Sequence, residues 1–178
     1  MKALHIMFTM SPKYGGPVAA CKFYCEASSL VGIKSDIYTT NVDFPNGFKL
    51  IDSKSFSPDS NSGITYFSAY DRMFGLSPKL LWALIRNVKK YDIIHIHGLY
   101  RFTTLSASIV AYLFRVPFII RPHGSLDPYL FHQRKNRLLK RFYEKLFEFP
   151  MINKSSGLHF TSEDEAALVN KNLNFCVD

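Results

Sequence analysis

The sequence predicts an α/β fold: a doubly wound, mostly parallel sheet with helices packed against it. Three observations carry the expectation. Short apolar runs alternate with helical stretches along the whole chain. The segments between runs are long enough for helical crossovers, which parallel strands need. Several runs exit into glycine, proline and polar residues, and open parallel sheets collect ligands at such carboxyl ends.

The first run, residues 3–8 (ALHIMF), is apolar on both faces, as buried parallel strands are. A loop of turn formers follows, with Gly15 and Gly16 ahead of Pro17. Pro17 suits the first turn of a helix, where a missing N–H costs nothing. That helix is expected from about Pro17 to Leu30, ending near Gly32. Residues 34–40 (KSDIYTT) form the second strand. Residues 41–63 are polar and rich in Pro, Ser, Asp and Asn, with short strands expected at 48–51 and 64–67 around a loop at 53–63. Ser77-Pro78 opens a helix over 79–90, with Leu80, Leu81, Leu84, Ile85 and Val88 at helical spacing. It feeds a strand at 93–96. A crossover helix at 102–114 leads to the next strand, 116–120, completing a parallel βαβ unit. The helix after it should break before Pro150, because the residue preceding proline avoids the helical region. Residues 157–160 (GLHF) read as a last strand. Ser162 with Glu165 three positions on reads as a capping box for a final helix to about Asn170.

Composition narrows the class. With 47% hydrophobic and 20% charged residues, the chain is globular rather than disordered. A net charge of +8 and a pI near 9.4 point to a polyanionic partner: nucleic acid, an anionic membrane surface or a phosphorylated ligand. Three cysteines make no disulfide framework. Cys21 and Cys25, four apart on a helix, are expected to pack as small apolar residues in a reducing cytoplasm. No signal peptide or transmembrane run is read in the sequence.

The strand exits carry the chemistry. Gly15-Gly16 lets backbone approach a ligand, and the helix it opens offers free N–H groups and a partial positive charge. A phosphate cradle and a plain tight turn both fit. A dinucleotide fingerprint is absent: the spacing is not G-x-G-x-x-G, and Thr39, Thr40 and Asn41 stand where an acid would read a ribose. His123 follows a buried strand, after a proline and before a glycine, with Asp127 four residues on. Its imidazole can meet a sugar hydroxyl or a phosphate oxygen. His95 and His97 alternate with apolar residues, so they share one face of their strand. His95 is expected as a hydrogen-bonded core residue; His97 lies nearer the mouth. No carboxylate stands beside these histidines at a metal-site spacing, no histidine or second cysteine pair stands at zinc spacing from Cys21 and Cys25, and no G-x-S-x-G elbow is present.

The segment 132–147 is strongly basic, with Arg134, Lys135, Arg137, Lys140, Arg141 and Lys145. Leu138, Leu139, Phe142, Leu146 and Phe147 form an apolar stripe at helical spacing. Two readings stay open: a solvated face whose stripe enters the core, and a patch for an anionic membrane surface. No nucleic-acid-binding signature supports nucleic acid as the partner.

With Gly15-Gly16-Pro17, HIHGLY, RPHGSLDP and GLHFTSEDE in this order, the chain resembles the N-terminal, acceptor-side half of a GT-B-fold glycosyltransferase of the retaining family 4. The resemblance spans nearly the whole chain and implies a Rossmann-like domain at 1–171, with 172–178 starting the interdomain linker. It implies transfer of a sugar from a nucleotide-diphosphate-sugar to a glycan or polyprenyl-linked acceptor, without a metal cofactor. By resemblance, Gly15 and Gly16 approach the donor diphosphate and His123 lies near the donor sugar. Tyr100 and Arg101, with His97, would line the acceptor side, and Asp127 would orient its loop. The E-x7-E pair of the family's second domain is missing here, since no two glutamates stand eight apart. The expectation is therefore one half of an enzyme, inactive alone, cytoplasmic or peripheral at the inner membrane face. Two other readings remain: a non-catalytic binding or membrane-docking module, and a small nucleotide-binding protein of another α/β family.

Overall fold

A computed structural model describes residues 1–43, 62–71, 74–126 and 141–173. The short strand expected at 48–51, Asp127, the basic residues 132–140 and the tail at 174–178 lie outside the described residues.

Among the described residues six strands make one sheet: β1 (Lys2–Thr9), β2 (Lys34–Thr40), β3 (Ser62–Phe67), β4 (Ile93–His97), β5 (Phe118–Arg121) and β6 (Gly157–Leu158). Their order is β3-β2-β1-β4-β5-β6, and every pairing is parallel. The chain winds outward from β1 to β3, then returns to β4 and winds the other way. The switch point, where such folds open a crevice, therefore lies at the carboxyl ends of β1 and β4. The helices are α1 (Gly16–Leu30), α2 (Pro78–Asn87), α3 (Phe102–Leu113), α4 (Phe149–Lys154) and α5 (Glu163–Leu173).

Local chemistry explains most boundaries. Ser77 caps α2, its hydroxyl accepting from the Leu80 N–H, with Pro78 in the first turn. Leu80 and Leu84 are fully buried on its inner face, as is Val88 in the turn that follows it. Burial of each leucine stabilises the fold by about 1.5–3 kcal/mol. β5 begins at Phe118 rather than Val116 because Pro117 has no N–H for the ladder; its carbonyl still accepts from Ile94 at 3.0 Å. The sheet's two faces differ. Leu4, Ile6, Ile94, Ile96, Phe118 and Ile120 pack with Leu80, Leu84, Ala107 and Val110 in the main apolar core. The opposite face, under α1, is polar toward β4 and β5.

In the segment before β6 one expectation fails, and one of the two open readings gives way. The helix does not break before Pro150. A π turn, Glu144–Glu148, runs directly into α4, which contains Pro150. The Phe149 N–H reaches back five residues to the Glu144 carbonyl. That widened turn displaces the carbonyl that a proline ring would strike in a regular helix. The described part of the apolar stripe also faces outward: Phe142, Leu146 and Phe147 are 65%, 52% and 39% exposed, while Glu144 and Glu148 are buried.

Candidate functional site

Strand register assembles the site. His5 on β1 lies beside His95 on β4, and His97 lies beside Arg121 on β5. The same face continues to His159, whose N–H bonds the Ile120 carbonyl at 2.8 Å. Five of the six histidines meet there, with His123 at the exit of β5. The rings of His95 and His97 are 4.2 Å apart, and those of His97 and His123 are 5.4 Å apart and stacked. Three imidazoles form a hydrogen-bonded chain. His5 Nδ1 lies 3.1 Å from His97 Nε2, and His97 Nδ1 lies 3.2 Å from His123 Nε2. A neutral imidazole offers one donor and one acceptor, so the chain has a single direction and the tautomer of one ring sets the next. His97 is thus buried between two rings rather than presented at the mouth. His95 is buried as expected, but its Nε2 has no hydrogen-bond partner among the described residues.

The electrostatics keep the rings of His95, His97 and His123 neutral. Burial, with His5 next, pushes His95 down to about 2, and burial also holds His97 well below the ordinary range. Burial and then the Arg121 guanidinium lower His123 to about 4, against a smaller opposing pull from Glu165. Arg121 is itself buried; it donates to the Tyr24 hydroxyl, with its guanidinium 4.9 Å from the centre of the Tyr24 ring.

His123 sits at φ 52°, a left-handed conformation uncommon for a side-chain-bearing residue. Two bonds hold its turn: the Ser125 N–H donates to the Pro122 carbonyl at 3.1 Å, and the Gly124 N–H to Glu165 Oε1 at 3.0 Å. Glu165 also donates its N–H to Ser162 Oγ at 3.2 Å and accepts the Thr161 N–H at 2.8 Å. The cap expected at the start of α5 is present, and its glutamate doubles as the clamp on the His123 turn. Burial pushes the Glu165 carboxyl up, but the bonds from Thr161 and Gly124 outweigh it and the net shift is downward.

Gly15 precedes α1 at φ 76°, ψ −131°, a conformation open to glycine, and its carbonyl accepts from Val18 and Ala19. A Cβ added at Gly15 or Gly16 would meet nothing within 4 Å, so the loop fronts open space. Arg101 stacks 4.4 Å over the ring of Phe8 and ties the β4 exit to the end of β1. Tyr100, at φ 61°, donates its N–H to Glu148 Oε1 at 2.9 Å and its hydroxyl to Glu144 Oε1 at 2.8 Å. Burial drives Glu148 up to about 7, against the bonds from Tyr100 and Tyr143 that favour its anion.

Sequence reading missed His5, Tyr24, Glu144, Glu148 and Glu165 as parts of this neighbourhood. It also treated Cys21 and Cys25 as apolar packing. Both are buried, but the Cys25 thiol is drawn down to about 5 by its bond with Cys21, against burial, with His5 adding to the fall. A ring nitrogen of His5, one of His97 and the Cys21 sulfur lie within 4.8 Å of one another.

The family model for "Glycosyl transferase 4-like domain" matches residues 63–175. A search of curated proteins finds no match. Among solved structures, UDP-GlcNAc 2-epimerase from Neisseria meningitidis bound to UDP-GlcNAc is similar, with a TM-score of 0.58 and 16% identity, over 96% of this chain and 43% of that one. Anabaena HepE in complex with UDP and glucose gives a TM-score of 0.54 and 17% identity, over 96% and 41%. At these identities the likeness is one of fold, the GT-B fold. The chain spans about two fifths of the length of either structure.

Proposed function

The chain belongs to the glycosyl transferase 4-like domain family, and from that premise we propose that it is the acceptor-side wall of a retaining sugar-transfer enzyme. Its donor is a nucleotide-diphosphate-sugar and its acceptor a glycan or polyprenyl-linked saccharide, as in polysaccharide assembly. The UDP and UDP-GlcNAc held by the structural neighbours support a UDP-linked donor. Gly15, Gly16 and the first N–H groups of α1 face the diphosphate and stabilise its charge as it leaves. His123 bonds a hydroxyl of the donor sugar as a neutral imidazole, while Tyr100 and Arg101 shape the acceptor side and the buried His97 supports His123 from behind. The acceptor proton passes to a donor phosphate oxygen, and positioning supplies the remaining catalysis without a metal in the chemical step. A second, nucleotide-holding domain closes the other wall of the cleft, and this half alone does not turn over. One observation carries the reading: a neutral His123, fixed in a strained turn by His97 and Glu165, at the exit of the strand beside β4. The test is UDP-sugar-dependent transfer by the full protein, with the anomeric configuration of the product read by NMR; inversion would contradict retention.

A second reading rests on the outward-facing Phe142, Leu146 and Phe147 beside the exposed Arg141 and Lys145. We propose that this patch docks on an anionic membrane surface, either bringing the enzyme to a lipid-linked acceptor or serving as the role of a non-catalytic docking module. Among the described residues no helix is long and apolar enough to cross a membrane, so the contact would be peripheral. Flotation with phosphatidylglycerol vesicles at low salt tests it. Binding that falls when Leu146→Asp is introduced supports the patch; no binding of the wild type overturns it.

A further inference from the structure

The polar face beneath α1 holds a cluster of which the transfer reading uses only His97, the ring behind His123. Cys21 is fully buried, and His5 and His97 are each 3% exposed. A nitrogen from each ring and the Cys21 sulfur lie within 4.8 Å of one another. Cys25, one helical turn along, is also buried and bonded to Cys21. Two imidazoles and one or two thiols, converging from β1, β4 and α1, are a borderline-soft donor set.

The geometry points to a structural metal site formed by His5, His97 and Cys21, with Cys25 available as fourth ligand, selective for zinc over hard cations such as magnesium. The facing nitrogens, His5 Nδ1 and His97 Nε2, are 3.1 Å apart. At zinc–nitrogen bonds of about 2.05 Å they would subtend about 98°, close to tetrahedral. A sulfur bonded at about 2.3 Å would lie about 3.6 Å from each nitrogen, so the widest pair closes by roughly 1 Å, within reach of side-chain rotation. On binding, the Cys21 thiol releases its proton to solvent, and the His5–His97 hydrogen bond is exchanged for two metal–nitrogen bonds. His97 Nδ1 keeps its contact with His123, the outer partner that orients a metal-bound imidazole. Hard cations prefer oxygen donors, and none is in this set. The site shares His97 with the transfer reading, but its test needs no donor or acceptor, so the two can fail separately.

The experiment uses the full protein, stripped with a chelator under reducing conditions and titrated with cobalt(II). One equivalent should develop a thiolate-to-cobalt charge-transfer band, which zinc removes and magnesium does not. The band should be lost in Cys21→Ser and in His5→Ala, with folding checked by circular dichroism. X-ray absorption of the zinc-loaded wild type gives a readout that needs no variant. It should show sulfur near 2.3 Å and nitrogen near 2.0 Å. A wild type with no thiolate band, a band unchanged in Cys21→Ser, or a zinc shell of oxygen and nitrogen alone would overturn the site.

Discussion

Replacing Glu148 by glutamine should stabilise the protein in mildly alkaline solution and leave it unchanged in acid. The carboxyl is 3% exposed and accepts two bonds on one oxygen, from the Tyr100 N–H at 2.9 Å and the Tyr143 hydroxyl at 3.1 Å. Those bonds do not offset the burial, and the group moves from an ordinary 4.5 up to about 7. The folded state therefore holds a proton that the unfolded chain has released between these values, and wild-type stability falls as pH rises from about 4.5 to 7. A rise of this size costs the charged, folded form about 3 kcal/mol by pH 8, an upper figure for a buried group beside a second carboxylate. Glutamine keeps an oxygen for Tyr100 and Tyr143 and carries no charge. Glu148→Gln should thus gain about 1–3 kcal/mol at pH 8 and close to nothing at pH 4.5. Urea unfolding at the two pH values, with unchanged slopes, measures it. A variant destabilised by the same amount at both pH values would show instead that both carboxylate oxygens are structurally required and that charge burial is not the cost.

Other perturbations probe the site itself. Gly15→Ala should cost about 1–3 kcal/mol, because φ 76°, ψ −131° excludes a Cβ even though space is open. Gly16→Ala should leave stability nearly unchanged, because a Cβ there meets nothing within 4 Å, and weaken donor binding, because the proposed diphosphate contact is what that Cβ would obstruct. Calorimetry with UDP and thermal melts separate the two. Glu165→Ala frees the Gly124 N–H and loosens the turn that carries His123. Turnover should fall about ten- to a hundredfold, with Glu165→Gln recovering most of it; equal losses in both variants would mean that the charge, not the clamp, matters.

The fold was legible because its signals are local. Apolar runs such as residues 3–8 and 93–96 declared parallel strands, Ser77-Pro78 and Ser162 declared helix starts, and the structure holds all of these. Pro150 misled because a π turn leaves no mark in residue spacing. The outward face of Phe142, Leu146 and Phe147 was hidden for a related reason: the buried positions went to Glu144 and Glu148, whose partner Tyr100 is over forty residues away. Alternation showed that His95 and His97 share a face, but not that β1 would set His5 beside them. That needs the strand order. Glu165 was readable as a cap, and its second bond, to Gly124, exists only once β5 and α5 meet.

Sugar transfer as proposed above turns on His123, neutral and held in its strained turn, contacting the donor sugar. The direct measurement is the steady-state rate of UDP-sugar-dependent transfer by the full protein and by its His123→Ala variant, with circular dichroism to confirm the fold. The variant's rate should fall by at least about a hundredfold in an otherwise folded enzyme. A His123→Ala enzyme with wild-type turnover would contradict it.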